Sequence, residues 1–148
     1  MNVIAILATQ FRNAIEAAID AGELHDEQLL RDFPCRSCGI ASDLLAAYFL
    51  ENGIRTWYVD AAHRKGSFMN TQNHAWLITD DGTIVDITGD QFKHFPKFMN
   101  YNESVYIGKT DTFHRLFQYD ERNVSEVKSL ESLSPKNQRA YQTIISYL

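Results

Sequence analysis

The chain has 148 residues, a net charge of −5 at pH 7, and 45% hydrophobic and 22% charged residues. These proportions argue against disorder, and the length is enough for one domain, residues 1–148, with its own hydrophobic core. The acidic balance argues against a general nucleic-acid-binding role, because a phosphate-binding surface needs an excess of Lys and Arg.

No segment of the sequence predicts membrane insertion or classical secretion. The apolar start lacks a positively charged region before it and ends at Thr9-Gln10-Phe11-Arg12, so it does not resemble a signal peptide. Two cysteines, Cys35 and Cys38, are too few for a disulfide scaffold. We therefore expect a cytoplasmic protein with no membrane partner, and secretion as an effector stays open as an alternative.

Apolar residues at helical spacing predict helices at both ends and in the middle of the chain. The predicted helices cover residues 3–20, 25–31, 38–52 and 137–148. Gly22 and Gly53 are typical C-terminal stops, and Ser37 is the expected N-cap of the central helix. Pro34 breaks the chain ahead of that helix.

Residues rich in β-formers predict a sheet in the second part of the chain. The predicted strands cover residues 54–60, 74–79, 83–88 and 105–107, with a polar loop at 61–73 and a turn-like stretch at 119–125. The hairpin around Asp80-Asp81-Gly82 is the clearest of these signals. Helices followed by a mostly antiparallel sheet predict the α+β class.

Cys38 is the candidate nucleophile. A thiol in the first turn of a helix lies near unpaired backbone N–H groups and the positive end of the helix dipole, and both favour the thiolate. Gly39 leaves room for a substrate carbonyl beside those N–H groups, which would stabilise an oxyanion. The alternative interpretation of Cys38 is a buried structural cysteine.

His74 and Asp86 are the candidate partners of this thiol. His74 opens a strand that is otherwise apolar, and Asp86 interrupts the run Ile84-Val85-Asp86-Ile87. A carboxylate inside a core strand is costly unless another group pairs with it. His74 would then act as the general base and later as the acid, with Asp86 fixing its tautomer and orientation.

The turn length decides whether these two side chains meet. A three-residue loop pairs Thr79 with Thr83 and places His74 and Asp86 on one face as diagonal neighbours. A two-residue Asp81-Gly82 turn would place them on opposite faces. The Cys-His-Asp triad therefore requires the longer loop or a bulge.

Three stretches together resemble the transglutaminase-like branch of the papain-like superfamily. They are Phe33-Pro34-Cys35-Arg36-Ser37-Cys38-Gly39-Ile40-Ala41-Ser42, Asn73-His74-Ala75-Trp76-Leu77, and Val85-Asp86-Ile87-Thr88-Gly89-Asp90-Gln91-Phe92. In that branch the cysteine opens a helix, and the histidine and aspartate lie on successive antiparallel strands. Arylamine N-acetyltransferases, transglutaminases, peptide N-glycanases and bacterial protease or deamidase effectors share the arrangement.

The resemblance implies a papain-like core and a thioester on Cys38, with protease-like hydrolysis of an amide in a peptide or protein substrate. A protein-glutamine deamidase or a transglutaminase of effector type is the alternative within the class. No coenzyme motif is visible, so no cofactor is expected. By the resemblance Cys35 lies outside the nucleophile's position, Gln28 is a candidate oxyanion donor, and Trp76 and Gln91 are candidate cleft residues.

Three interpretations of another class stay open at this point. The Cys35-x-x-Cys38 spacing also occurs in dithiol oxidoreductases, although the βαβ alternation of that fold is missing. A zinc site from Cys35, Cys38 and His74 would need a fourth ligand, for which His63 is the nearest candidate. A catalytically inert binding module on the same fold is the third.

Overall fold

The computed structural model describes residues 2–63 and 72–148, which form an α+β fold. The three α-helices are α1 (Val3–Asp20), α2 (Cys38–Glu51) and α3 (Pro135–Ile145). The strands are β1 (Trp57–His63), β2 (Gln72–Ile78), β3 (Ile84–Asp86), β4 (Tyr106–Gly108) and β5 (Val124–Glu126). They make one antiparallel sheet in the order β4-β3-β2-β1-β5. The predicted α+β class is confirmed.

Helix α1 follows the predicted boundaries closely. The Asn2 side chain caps its start by accepting a hydrogen bond from the Ile4 N–H at 2.9 Å. Its apolar stripe is buried at Leu7, Phe11 and Ile15, and the chain leaves the helix at Gly22, whose φ of +75° is easily adopted only by glycine. The stripe packs against α2 and α3.

Helix α2 lies between the other helices and the sheet. Its buried side chains on several faces include Ile40, Leu44 and Phe49, and they share one apolar core with Leu77 of β2. Ser37 occupies the N-cap position, but its hydroxyl donates to the Leu29 carbonyl at 2.6 Å and makes no cap bond. The N–H groups of the first turn of α2 therefore have no side-chain cap from Ser37.

The other face of the sheet is covered by the two connections on either side of β4. Phe92 and Phe98 of the first connection and Phe113 and Phe117 of the second share one aromatic core with Trp76 of β2. Trp76 is 1% exposed, so it belongs to this second core and does not line a cleft. The same two connections also place polar residues against β2 and β3.

The hairpin formed by β2 and β3 has the predicted three-residue loop. Leu77 pairs with Val85, and the Thr79 N–H donates to the Thr83 carbonyl at 2.9 Å. Gly82 has a φ of +83°, as the turn requires. His74 and Asp86 are therefore on the same face of the sheet, as the longer loop predicts.

The predicted boundaries of the first strand are wrong. It begins at Trp57, later than residue 54, and extends to His63 because it pairs with β2 along its whole length, from Trp57 opposite Ile78 to His63 opposite Gln72. Both ends of the predicted loop at 61–73 are therefore strand. The middle of that loop, residues 64–71, lies outside the described residues.

Four weaker predictions were corrected or shifted. The helix predicted at 25–31 is only a single 3-10 turn, Gln28–Leu30. The turn-like stretch at 119–125 contains the start of β5, because Val124 pairs with Val59 at the free edge of β1. The strand predicted at 105–107 and the helix predicted at 137–148 are present as β4 and α3 with shifted ends.

No helix within residues 2–63 and 72–148 has both the length and the apolar content needed to cross a lipid bilayer.

Candidate active site

Cys38 begins α2 and lies against β2. The pairing of β2 with β3 covers Leu77 and Ile78 only, so the Ala75 N–H is not used in that pairing. The His74 side chain and the Ala75 N–H both lower the pKa of the Cys38 thiol, which places both groups near its sulfur. The thiol is partly buried, so the helix start, a strand amide and an imidazole converge on one sulfur atom.

His74 and Asp86 form a buried pair. His74 Nε2 lies 2.7 Å from Asp86 Oδ2, and both side chains are fully shielded from solvent. The Thr88 N–H donates to the other Asp86 oxygen at 3.0 Å. Because Nε2 is taken by the carboxylate, Nδ1 is the ring nitrogen left for the Cys38 side, and the Gln91 amide lies 3.1 Å from it.

The electrostatics of the three groups favour charge separation. Burial raises the pKa of the Cys38 thiol, but the hydrogen bond and charge of His74 outweigh it, and the pKa falls below its ordinary value of 9.0. Burial lowers the pKa of His74, whereas the Asp86 carboxylate raises it more strongly, to about 9. Burial also raises the pKa of Asp86, yet the two neighbouring imidazoles hold it well below its usual range. The shifts of Cys38 and His74 each favour the charged form, a thiolate beside an imidazolium.

A second histidine, His114, completes the surroundings of Asp86. Its Nε2 lies 2.8 Å from Asp86 Oδ2, and its Nδ1 lies 2.6 Å from Asp111 Oδ1. Each ring nitrogen of His114 thus lies within hydrogen-bond distance of a carboxylate oxygen. Asp86 Oδ2 is shared between two imidazoles, and His114 helps to hold the carboxylate in place.

His114 was not among the residues predicted from the sequence. It follows Phe113 and precedes Phe117, and the helical and strand periodicity is weak in this part of the chain. The sequence held one signal for a buried, partnered histidine here, namely a titratable ring between two large aromatic residues. Such a ring is costly to bury without a hydrogen-bond partner. No element was predicted there that could place it opposite Asp86.

The turn after β3 is fixed from outside by a buried ion pair. The Arg12 guanidinium of α1 binds Asp90 through two hydrogen bonds of 2.9 and 2.8 Å, and it also donates to the Ile87 carbonyl at 2.7 Å. Such a bidentate contact fixes the relative orientation of the two side chains as well as the distance between them. It therefore orders the turn that presents the Thr88 N–H to Asp86 and the Gln91 amide to His74.

The cluster of His74, Asp86 and His114 also has ligand types that suit a metal ion. In the described part of the chain it is the group whose ligand atoms lie close enough together, within 4.8 Å of one another, and it contains neither cysteine. Its nitrogen–oxygen contacts of 2.7 and 2.8 Å are shorter than the roughly 3.3 Å between ligands of a tetrahedral zinc ion. These distances fit shared protons better than a bound metal.

The remaining candidates lie away from this cluster. Cys35 is exposed in the loop before α2. His63 ends β1, and its Nδ1 contacts the Leu116 carbonyl at 2.8 Å. Gln28 is exposed at the start of its 3-10 turn, so nothing in its surroundings favours the oxyanion role.

Comparison of the chain with family models, with curated proteins and with solved structures gives no match. The functional argument therefore depends on the residues and their geometry.

Proposed function

We propose that the protein is a cysteine-dependent acyl-transfer enzyme in which Cys38 is the nucleophile, His74 the acid and base, and Asp86 the orienting carboxylate. The observation that carries the proposal is the buried His74–Asp86 pair, 2.7 Å apart, together with a Cys38 thiol at the start of α2 whose pKa the His74 imidazole lowers. A structural cysteine needs no such partners, whereas an activated nucleophile needs a base that a third group orients.

The reaction begins with attack of the Cys38 thiolate on the carbonyl carbon of an amide. The negative charge moves to the carbonyl oxygen, and the uncapped N–H groups of the first turn of α2 are the donors that would stabilise it. Gly39 packs closely against β1, since a β-carbon there would lie 3.3 Å from the Tyr58 hydroxyl.

His74 moves the protons of both half-reactions. Its imidazolium gives a proton to the leaving amine as the carbon–nitrogen bond breaks, which leaves a thioester on Cys38 and a neutral ring. The ring then removes a proton from water, and the resulting hydroxide attacks the thioester and releases the acid and the thiolate. Asp86 keeps the ring orientation constant throughout, with His114 as the second partner of the carboxylate.

The order Cys38, His74, Asp86 along the chain, with the cysteine opening a helix and the other two on neighbouring strands, supports a papain-like core of the transglutaminase-like type. Hydrolysis of a peptide or protein amide is the reaction that we infer. Attack on a glutamine side chain, which would make the protein a deamidase, uses the same steps with ammonia as the leaving group. An amine in place of water as the acyl acceptor would make it a transglutaminase.

Acylation by an activated ester separates the two cysteines. We expect p-nitrophenyl acetate to leave an acetyl group on the wild-type protein and on Cys35→Ser, and none on Cys38→Ala, as measured by intact mass and peptide mapping. The physical reason is that the His74 imidazole lowers the pKa of the Cys38 thiol and so favours its thiolate. An adduct that disappears in Cys35→Ser and persists in Cys38→Ala would reverse the assignment of the nucleophile and favour the dithiol alternative.

A further inference from the structure

A groove of about 570 Å³ lies beside the candidate active site. This volume is within the range of cavities that hold small ligands or peptide side chains, roughly 300–1,000 Å³. Gln91 lines it, and the Gln91 amide is also 3.1 Å from His74 Nδ1. Cys35 and Arg36, in the loop that leads into α2, line the other side of the groove, so the groove lies between the start of the helix that carries Cys38 and the glutamine that contacts His74.

The aromatic part of the groove is built by one segment. Phe92 and Phe98 are 3% and 1% exposed and belong to the aromatic core, whereas Phe95 between them is 51% exposed. A half-exposed phenyl ring above two buried ones is an apolar surface that a ligand side chain can cover. This wall fits a bulky apolar side chain.

The charged part of the groove is positive. Arg36 comes from the loop before α2 and Lys97 from the 3-10 turn after β3, and both are exposed. The lining contains no carboxylate among the described residues, and neither cation forms an ion pair within residues 2–63 and 72–148. In a chain of net charge −5, two unpaired cations on one groove select for an anionic ligand.

We propose that the groove binds the part of the substrate next to the reacting amide, and that this part is a peptide segment with a bulky apolar side chain beside a carboxylate. The inference depends on the proposed function, because it assigns the substrate class of the same site. The apolar side chain covers Phe95, and the carboxylate lies between Arg36 and Lys97.

Two affinity probes test the charge preference. They are the chloromethyl ketones of acetyl-Glu-Phe and acetyl-Lys-Phe, which differ in one charged side chain, and they are applied to Cys35→Ser protein so that Cys38 is the labelled thiol. We expect the glutamate probe to label Cys38 about fivefold faster, the size that two partly exposed ion pairs provide. We expect Arg36→Glu and Lys97→Glu each to remove or reverse that preference.

Lys128→Glu is the matched control, because it makes the same charge change at an exposed position outside the groove. Arg36→Glu keeps a β-carbon at a residue whose φ is +61°, so the backbone strain there is unchanged. Near-ultraviolet circular dichroism verifies that each variant is folded. If a glutamate variant does not fold, Arg36→Gln or Lys97→Gln replaces it. Each glutamine variant should remove the preference for the glutamate probe without reversing it.

Iodoacetamide labelling separates the failure of this inference from the failure of the proposed function. In one outcome, iodoacetamide reacts with Cys38 at a rate that depends on His74 while the two peptide probes label Cys38 equally fast. That result would show that the groove assignment is wrong and would leave the assignment of Cys38 as the nucleophile intact. A preference that changes no more in Arg36→Glu and Lys97→Glu than in Lys128→Glu would also overturn the groove assignment. Rates independent of His74 would contradict the proposed function itself.

Discussion

Replacing His74 with alanine is expected to lower acyl-transfer turnover by about 10²–10⁴-fold, the range that a positioned acid–base group contributes. The same change is expected to slow alkylation of Cys38 by iodoacetamide at pH 7 by about tenfold. At an ordinary pKa of 9.0 only about 1% of a thiol is ionised at pH 7, and the higher nucleophilicity of the remaining thiolate offsets part of that loss.

The two rates fall by different amounts for a physical reason. Alkylation needs only a thiolate, whereas amide cleavage also needs a proton delivered to the leaving amine and later removed from water. His25→Ala is the matched control, because His25 is exposed and its Nδ1 contacts only the Gly22 carbonyl. An alkylation rate for folded His74→Ala equal to that of His25→Ala would mean that His74 does not activate Cys38.

Replacing Asp86 with asparagine is expected to reduce turnover by about 10²–10⁴-fold, because an amide no longer fixes the tautomer that His74 needs. The free energy of unfolding near neutral pH should fall by about 3–5 kcal/mol, the cost of removing one partner from a buried charge pair. Asparagine keeps the oxygen that accepts the Thr88 N–H, so the loss is assigned to the two imidazoles. Steady-state kinetics and urea unfolding measure the two effects.

The stability difference should depend on pH in a defined direction. Because the folded-state pKa of Asp86 lies below its ordinary value of 3.8, the carboxylate stabilises the fold above that value, and this contribution is lost as the pH falls toward the folded-state pKa. The difference in the free energy of unfolding between the wild-type protein and Asp86→Asn should therefore shrink as the pH falls. A difference that stayed constant down to the lowest pH at which the protein is folded would contradict the pairing of Asp86 with the two imidazoles.

Asp90→Asn is the matched control for Asp86→Asn. Asp90 is also a buried aspartate with an ion-pair partner, Arg12, but it has no hydrogen bond to His74. Its replacement should lower stability and, because it acts on the site only through the turn after β3, change the pKa of Cys38 less than Asp86→Asn does. A Cys38 titration that moved equally in both variants would show that the turn after β3, and not the Asp86 carboxylate, determines the state of the thiol.

Local sequence signals predicted the parts of the fold that depend on neighbouring residues. The three-residue loop at Gly82 fixes the hairpin register, and that register brings His74 to the same face as Asp86. The glycine at position 22 sets the C-terminal limit of α1 in the same local way. Such signals act within a few residues and are therefore readable without tertiary structure.

The features that were missed depend on contacts between distant segments. The strand at Val124 forms because it pairs with the edge of β1. The residues around position 124 carry no local signal of that pairing. His114 reaches Asp86 across 28 residues of chain, through a segment whose apolar residues follow neither the helical nor the strand period. Ser37 was expected to cap α2, but the Leu29 carbonyl takes its hydroxyl instead.

The central claim is that Cys38 is a thiolate stabilised by His74, and titration of the Cys38 thiol measures it directly. Ultraviolet absorbance of the thiolate is followed against pH in Cys35→Ser protein, with and without His74→Ala. We expect an apparent pKa below the ordinary value of 9.0 in the intact site, and above it when the imidazole is removed, because burial then acts alone. A pKa at or above 9.0 in the intact site, or one that does not change when His74 is replaced, would contradict the account.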